Sequence, residues 1–339
     1  MKVAVIGAGA MGSALTVPLY DNNIDICLYG TEYDIEILKV VEKGKVHPRL
    51  GIKLPDMEIA YPNQLDRALS DAEIILLAVS TEGVIPIFTK IKDKIGDRVL
   101  ITISKGLLKL KDSILTIPEA IWKEKTDLTD RTVAITGPSI AKEVARKAPT
   151  KVVFSCIDIK LARMIARIFT TEYYRVAVSD DIKGAEITSA LKNVYSIAIA
   201  WIRGYEQYKS VEMSNLKGVI ASMAIEEIAK IVEAAGGKKS TVFGLSGFGD
   251  LIATFRGGRN GMLGELLGRG LSISHALEEL RKRGVGVIEG YGTAEKAYKL
   301  VKDLEMNGKI SSDEFPLLTR TYEVLFKNRK VEDVLKELI

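Results

Sequence analysis

Short apolar runs alternate with amphipathic stretches over the first half of the chain. Residues 3–6, 24–29, 74–78, 99–103, 133–136 and 151–155 are dense in aliphatic and β-branched side chains, which predicts strands, and 173–178 closes the series. Several are apolar at successive positions rather than alternate ones. That is the pattern of strands covered on both faces, so an open, mainly parallel sheet with helices between its strands is expected. After Asp180 the period changes. Apolar residues recur at helical spacing over 182–204, 215–235, 250–255, 273–283, 293–304 and 315–339, with Pro316 near the start of the last, where proline is tolerated. Glycines crowd 244–270, which predicts close backbone approaches between helices.

The first strand runs directly into Gly7-Ala8-Gly9-Ala10-Met11-Gly12, followed by a helical run over 13–20. Gly7 permits a tight turn, Gly9 admits a phosphate against bare backbone, and Gly12 lets the helix pack closely on the strand. The helix N-terminus then presents unpaired N–H groups and the positive end of its dipole to an anion. A glycine pattern alone says little, but here strand, turn, helix and second strand occur in the required order. The expectation is a Rossmann-like, dinucleotide-binding domain with a mainly parallel sheet over residues 1–180, followed by an all-α, substrate-binding C-terminal domain over 181–339.

Bulk composition narrows the partners. A chain of 339 residues suggests about two domains. Its net charge of +4, from 48 basic and 44 acidic residues, argues against a nucleic-acid partner. Cys27 and Cys156 lack metal-ligand spacing and read as reduced packing thiols, and His47 and His275 are too few for most metal sites, so no metal is expected. No apolar run spans a bilayer and the N-terminal run is spent on the first strand, so a cytoplasmic protein without stable membrane insertion is expected.

The candidate chemistry is carried by a few polar groups. Lys192 shares a helical side with Thr188 and Tyr195, with Asn193 one step around. A lysine set among apolar residues can stabilise a developing alkoxide and pass a proton to it, although most helical lysines are solvated surface charges. Asp250 and Thr254 stand four apart and can face one cleft; an N-capping aspartate is the plainer reading. Arg259 offers a fork of donors suited to phosphate and Asn260 adds neutral hydrogen bonds; a surface arginine is the alternative. Lys105 follows the 99–103 strand at the sheet edge where open α/β sheets bind ligands. Ser139 follows another strand and suits a helix cap, or its neighbours a cofactor contact.

Taken in order, the Gly7 turn, Ser104-Lys105-Gly106-Leu107, the 137–144 segment, Ala190-Leu191-Lys192-Asn193, the 244–260 segment and Val287-Ile288-Glu289-Gly290 resemble the NAD(P)-dependent glycerol-3-phosphate dehydrogenases. The resemblance implies hydride transfer between NAD(P)H and dihydroxyacetone phosphate. It implies that Lys192 is the catalytic lysine and Lys105 a second active-site lysine near cofactor and substrate. It puts Asn193, Asp250 and Thr254 around the substrate oxygens and Arg259 with Asn260 on the phosphate, Arg259 also near the cofactor. Gly7, Gly9, Ala10, Met11, Gly12, Thr31, Ala141 and Glu289 complete the expected cofactor contacts. A small phosphorylated triose is the implied substrate and a homodimer the implied assembly. Two departures stand out: Ala78-Val79-Ser80-Thr81 lacks the family's usual proline, and the second strand ends in Gly30-Thr31 without an acidic residue for a ribose 2′-hydroxyl. Thr31 can donate to a 2′-phosphate, while Glu32 turned inward would repel it; the cofactor expected is NAD(P), with a lean to NADP. The rivals are a carboxylate-directed relative such as a ketopantoate reductase or 3-hydroxyisobutyrate dehydrogenase, and a nucleotide sensor without catalysis. The Arg259-Asn260 neighbourhood opposes the first and the Lys192, Asp250 and Arg259 set the second.

Overall fold

The computed structural model describes residues 1–254 and 257–339, so the end of the helix expected over 250–255 falls, at Phe255, outside the described residues. The chain divides into two compact units, residues 1–105 with 117–182, and residues 106–116 with 183–339.

The first unit is built on an eight-stranded sheet. Its strands are β1 (Lys2–Ile6), β2 (Asp25–Tyr29), β3 (Glu58–Ala60), β4 (Ile74–Leu77) and β5 (Val99–Thr102). A hairpin, β6 (Leu107–Leu110) and β7 (Ser113–Thr116), interrupts them before β8 (Thr132–Thr136), β9 (Thr150–Ser155) and β10 (Tyr174–Ser179). The spatial order is β10-β9-β8-β5-β4-β1-β2-β3, every pairing parallel except β8 with β9. β4 and β8 are buried along their whole length, the reason their sequences lack alternation. From β1 the chain steps outward to β2 and β3, then returns to place β4 on the other flank of β1. The strand order therefore reverses at β1 and β4, and ligands of open α/β sheets bind at the carboxyl ends of such strands.

Two strand elements differ from expectation. β3 has three residues at the sheet edge, too few for a periodic signal. The β6–β7 hairpin turns at Lys111, which takes a left-handed φ of 53°, and groups with the second unit although its sequence position lies within the first.

Among its described residues the second unit is helical apart from this hairpin. Its axis is a long helix, Ile182–Lys209, of 28 residues. All residues from Ala185 to Ile202 are buried, so this stretch of the helix presents no face to solvent. The expected close approaches in the glycine-rich segment are present: a Cβ on Gly264 would lie 2.1 Å from the Ile197 carbonyl oxygen of the long helix. The region expected as one helical stretch over 315–339 is two helices, Pro316–Phe326 and Val331–Leu338, parted where Asn328 adopts a left-handed φ of 58°. Among the described residues no helix is long and apolar enough to cross a membrane.

Candidate active site

In the first unit the glycine turn joins β1 to the Ala10–Asp21 helix. Gly7 has φ 113°, and a Cβ there would strike the Ala78 carbonyl oxygen at 2.6 Å; a Cβ on Gly12 would lie 2.1 Å from the Gly7 oxygen. These contacts hold the helix N-terminus against the ends of β1 and β4. Gly9 is the N-cap, with no side-chain cap bond, and among the described residues its open face meets the Arg49 guanidinium, 3.7 Å from where a Cβ would sit. Ala10 and Met11, both partly exposed, form the first helical turn. Bare backbone, the amides of a helix's first turn and a nearby cation fit a dinucleotide's phosphates.

In the turn after β2, Thr31 is engaged within the protein. Its hydroxyl donates to Asp34 Oδ2 at 2.8 Å, and the same oxygen accepts the Thr31 amide at 2.9 Å and the Ala8 amide at 3.3 Å. The donor expected for a 2′-phosphate is thus committed to a buried carboxylate that the sequence reading did not single out. Arg49 was missed as well. Fully buried His47 accepts the Arg49 and Leu50 amides on Nδ1, so its proton resides on Nε2, which faces the Ala8 oxygen at 3.4 Å. Burial holds this imidazole below the usual histidine range and keeps it neutral. His47 thereby ties the segment bearing Arg49 to the glycine turn. Neither residue stands in a local motif; only the fold brings them to Gly9. Glu32, the feared repulsive charge, is held by Lys90 at 3.0 Å.

Further along the sheet edge, Ser104 donates to the Val79 carbonyl at 2.6 Å and Lys105 Nζ to the Gly137 carbonyl at 3.1 Å, joining the loops after β4, β5 and β8. Ala141 opens a short helix, Ala141–Ala145, whose N-cap is Ile140. Ser139 does not cap it; its hydroxyl lies 3.8 Å from Met11 Sδ. Residues 81–91 form a helix despite the missing proline before it.

The second unit gathers the remaining candidates. Lys192 and Asp250, each 2 % exposed, form an ion pair at 2.7 Å. Asp250 is delivered by a feature without a sequence signal, a π-helical turn Leu245–Gly249 that runs into the Asp250–Thr254 helix. Thr254 donates its hydroxyl to the Asp250 and Leu251 carbonyls rather than to an open cleft. Tyr195, expected beside Lys192, donates instead to Glu227 at 2.8 Å. Asn260 Nδ2 donates to Asn193 Oδ1 at 3.1 Å, and its own Oδ1 accepts the Gly290 amide at the start of the Glu289–Met306 helix at 2.9 Å. Glu289 receives the Asn193 amide at 3.4 Å and the Arg259 guanidinium at 3.3 Å. Asn193, Arg259, Asn260 and Glu289 are therefore one polar cluster on three helices, with Lys192 next to it in the chain. Arg259 is exposed and its pairing with Glu289 is weak, so an incoming anion can displace it.

Comparison with known proteins agrees across the whole length. Residues 2–162 match the N-terminal model, and residues 181–336 the C-terminal model, of NAD-dependent glycerol-3-phosphate dehydrogenase. The NADP(+)-dependent glycerol-3-phosphate dehydrogenase of Archaeoglobus fulgidus is 59 % identical over 338 residues, covering 100 % of this chain and 99 % of the relative. The glycerol-3-phosphate dehydrogenase [NAD(P)+] of Bacillus pumilus is 32 % identical, covering 100 % and 94 %. In fold, the crystal structure of glycerol-3-phosphate dehydrogenase from Coxiella burnetii superposes with a TM-score of 0.83 at 24 % identity, covering 99 % of this chain and 98 % of that one. The chain belongs to the NAD-dependent glycerol-3-phosphate dehydrogenase family and is an NAD(P)-dependent oxidoreductase acting on a CH–OH group.

Proposed function

We propose that this protein interconverts dihydroxyacetone phosphate and sn-glycerol 3-phosphate with NADP(H) as its preferred carrier. The observation that carries the reading is the buried Lys192–Asp250 pair at 2.7 Å, adjoining a cluster that includes an arginine free to exchange partners. Burying two charges costs several kcal/mol, and hydrophobic replacements of such pairs are often no less stable, so the pair is better explained by chemistry than by stability. Asp250, 2.7 Å from the ammonium, holds and aims it. In that state Lys192 stabilises negative charge on the carbonyl oxygen of dihydroxyacetone phosphate and gives it a proton; in reverse it accepts the proton from the C2 hydroxyl. Arg259 leaves Glu289 for the phosphate, and Asn260 and Asn193 orient the ester and its hydroxyls. Thr254 contributes through the Asp250 backbone, where its hydroxyl is bound. Lys105 supplies a second positive charge at the sheet edge near cofactor and substrate.

The glycine turn holds the dinucleotide through the amides of Ala10, Met11 and Gly12, with Ala141 and Glu289 as further contacts. NADPH, when bound, supplies the hydride. Arg49, beside Gly9, is the cation suited to a 2′-phosphate, and it supports the NADP preference better than Thr31 does, whose hydroxyl is engaged by Asp34. The relative at 59 % identity is named for NADP, which supports the same preference.

The test is oxidation of NADPH with dihydroxyacetone phosphate or with phosphate-free dihydroxyacetone. We expect kcat/KM for the phosphorylated substrate to be higher by roughly a thousandfold, and Arg259→Ala to remove most of that advantage. Equal use of the two ketones would reject the phosphate-recognition reading.

A further inference from the structure

Glu227 is a buried carboxylate outside the cluster described above. It lies on the Ser214–Ala234 helix, is 4 % exposed, and collects three donors: the Tyr195 hydroxyl at 2.8 Å and the Leu317 and Leu318 amides at 2.7 and 2.9 Å. Those amides open the Pro316–Phe326 helix, whose N-cap, Phe315, offers no side-chain acceptor. Glu227 therefore caps one helix from a second and grips a third through Tyr195. The third is the long helix, and Tyr195 is three residues from Lys192 on it.

We propose that Glu227 is a positioning residue for the reaction: through the Tyr195 hydroxyl it fixes the rotation of the long helix at the turn carrying Lys192 and Asn193. The inference rests on the reading of Lys192 as the proton-transferring group. Apolar burial has no direction, and this stretch of the helix is buried all round, so burial alone does not choose its rotation. Directional contacts do, and the Tyr195–Glu227 bond is one that touches neither substrate nor cofactor. A rotation of about 15° moves a side-chain tip at a radius of about 6 Å by roughly 1.5 Å. Misplacement of about 1 Å is enough to cost on the order of a hundredfold in rate. The contact survives either charge state of Glu227, because a protonated Oε2 donates to the Tyr195 oxygen as readily as the anion accepts from it.

The variants are Tyr195→Phe, which removes one oxygen, and Glu227→Met, which keeps the side chain's length but removes both of its oxygens. Full steady-state kinetics with NADPH and dihydroxyacetone phosphate, measured well below each variant's Tm, should show kcat lowered about tenfold in each, KM for both substrates within about twofold, and a double variant no worse than the poorer single. Lowered Tm with kcat within twofold of the parent would make the contact purely structural and overturn the proposal. Lys192→Ala in the same assay separates the two ideas. If it retains turnover, the reading of Lys192 fails; if it is inactive while the strut variants are unimpaired, only the positioning role fails.

Discussion

Arg49 and Asp34 share the rim of the glycine turn, and neither stands where the second strand ends. Asp34 spends one carboxylate oxygen on three protein donors, which stitches the turn after β2 to Ala8 and leaves Arg49 as the charge facing Gly9. His47 holds that segment in place by its ring nitrogens. A guanidinium on a phosphate contributes about 1.5–3 kcal/mol as a charge-assisted hydrogen bond. Arg49→Ala is therefore expected to raise KM for NADPH by roughly 10- to 100-fold while KM for NADH stays within about twofold; parallel titrations of the two cofactors measure it. Equal losses on both would assign Arg49 to the turn's structure instead. These residues were illegible in the sequence for a physical reason: an acid five residues past a strand and a base twenty past it acquire meaning only when the chain folds back.

Among the elements, the long helix joins chemistry to stability. Its Tyr195 meets Glu227, whose pKa burial lifts to about 7 against an ordinary 4.5, opposed by the Tyr195 hydroxyl, the Leu317 and Leu318 amides and the charge of Lys230. Lys230 is itself paired with Glu314 at 3.0 Å. The sign follows from which state holds the proton. Between pH 4.5 and 7 the folded protein keeps it and the unfolded chain does not, so this group's contribution is whole below about 4.5 and is lost as pH rises through 7. The loss amounts to on the order of 3 kcal/mol. Chemical denaturation from pH 4.5 to 8 should show that decline superimposed on the other titrations, and Glu227→Gln should flatten it. A variant with the parent's slope would contradict the assignment. The sequence showed this helix clearly by its apolar run, and Lys192 and Asn193 upon it. It gave no sign of Glu227, because one acid within an apolar helical stretch reads like any surface charge.

At the scale of the molecule, alternation of apolar runs and helical stretches revealed the parallel sheet and the helical second half, since burial on both faces writes itself into composition. Elements without that imprint escaped: β3 through its length, the β6–β7 hairpin through its placement, and the π-helical turn through its irregular hydrogen bonding. Of the candidate site, Lys192, Asp250 and Arg259 were legible through the ordered short segments that carry them and the family these resemble, since each alone also reads as a surface charge or a helix cap. Their pairings did not. That Lys192 meets Asp250, and that Asn193, Asn260, Glu289 and Arg259 form one cluster, depends on helices far apart in the chain. The ammonium of Lys192 is the centre of the proposed chemistry, and steady-state turnover of Lys192→Ala with NADPH and dihydroxyacetone phosphate tests its role most directly. The expected result is kcat lower by at least about a thousandfold with NADPH binding, followed by its fluorescence, unchanged. Turnover within about tenfold of the parent would contradict it.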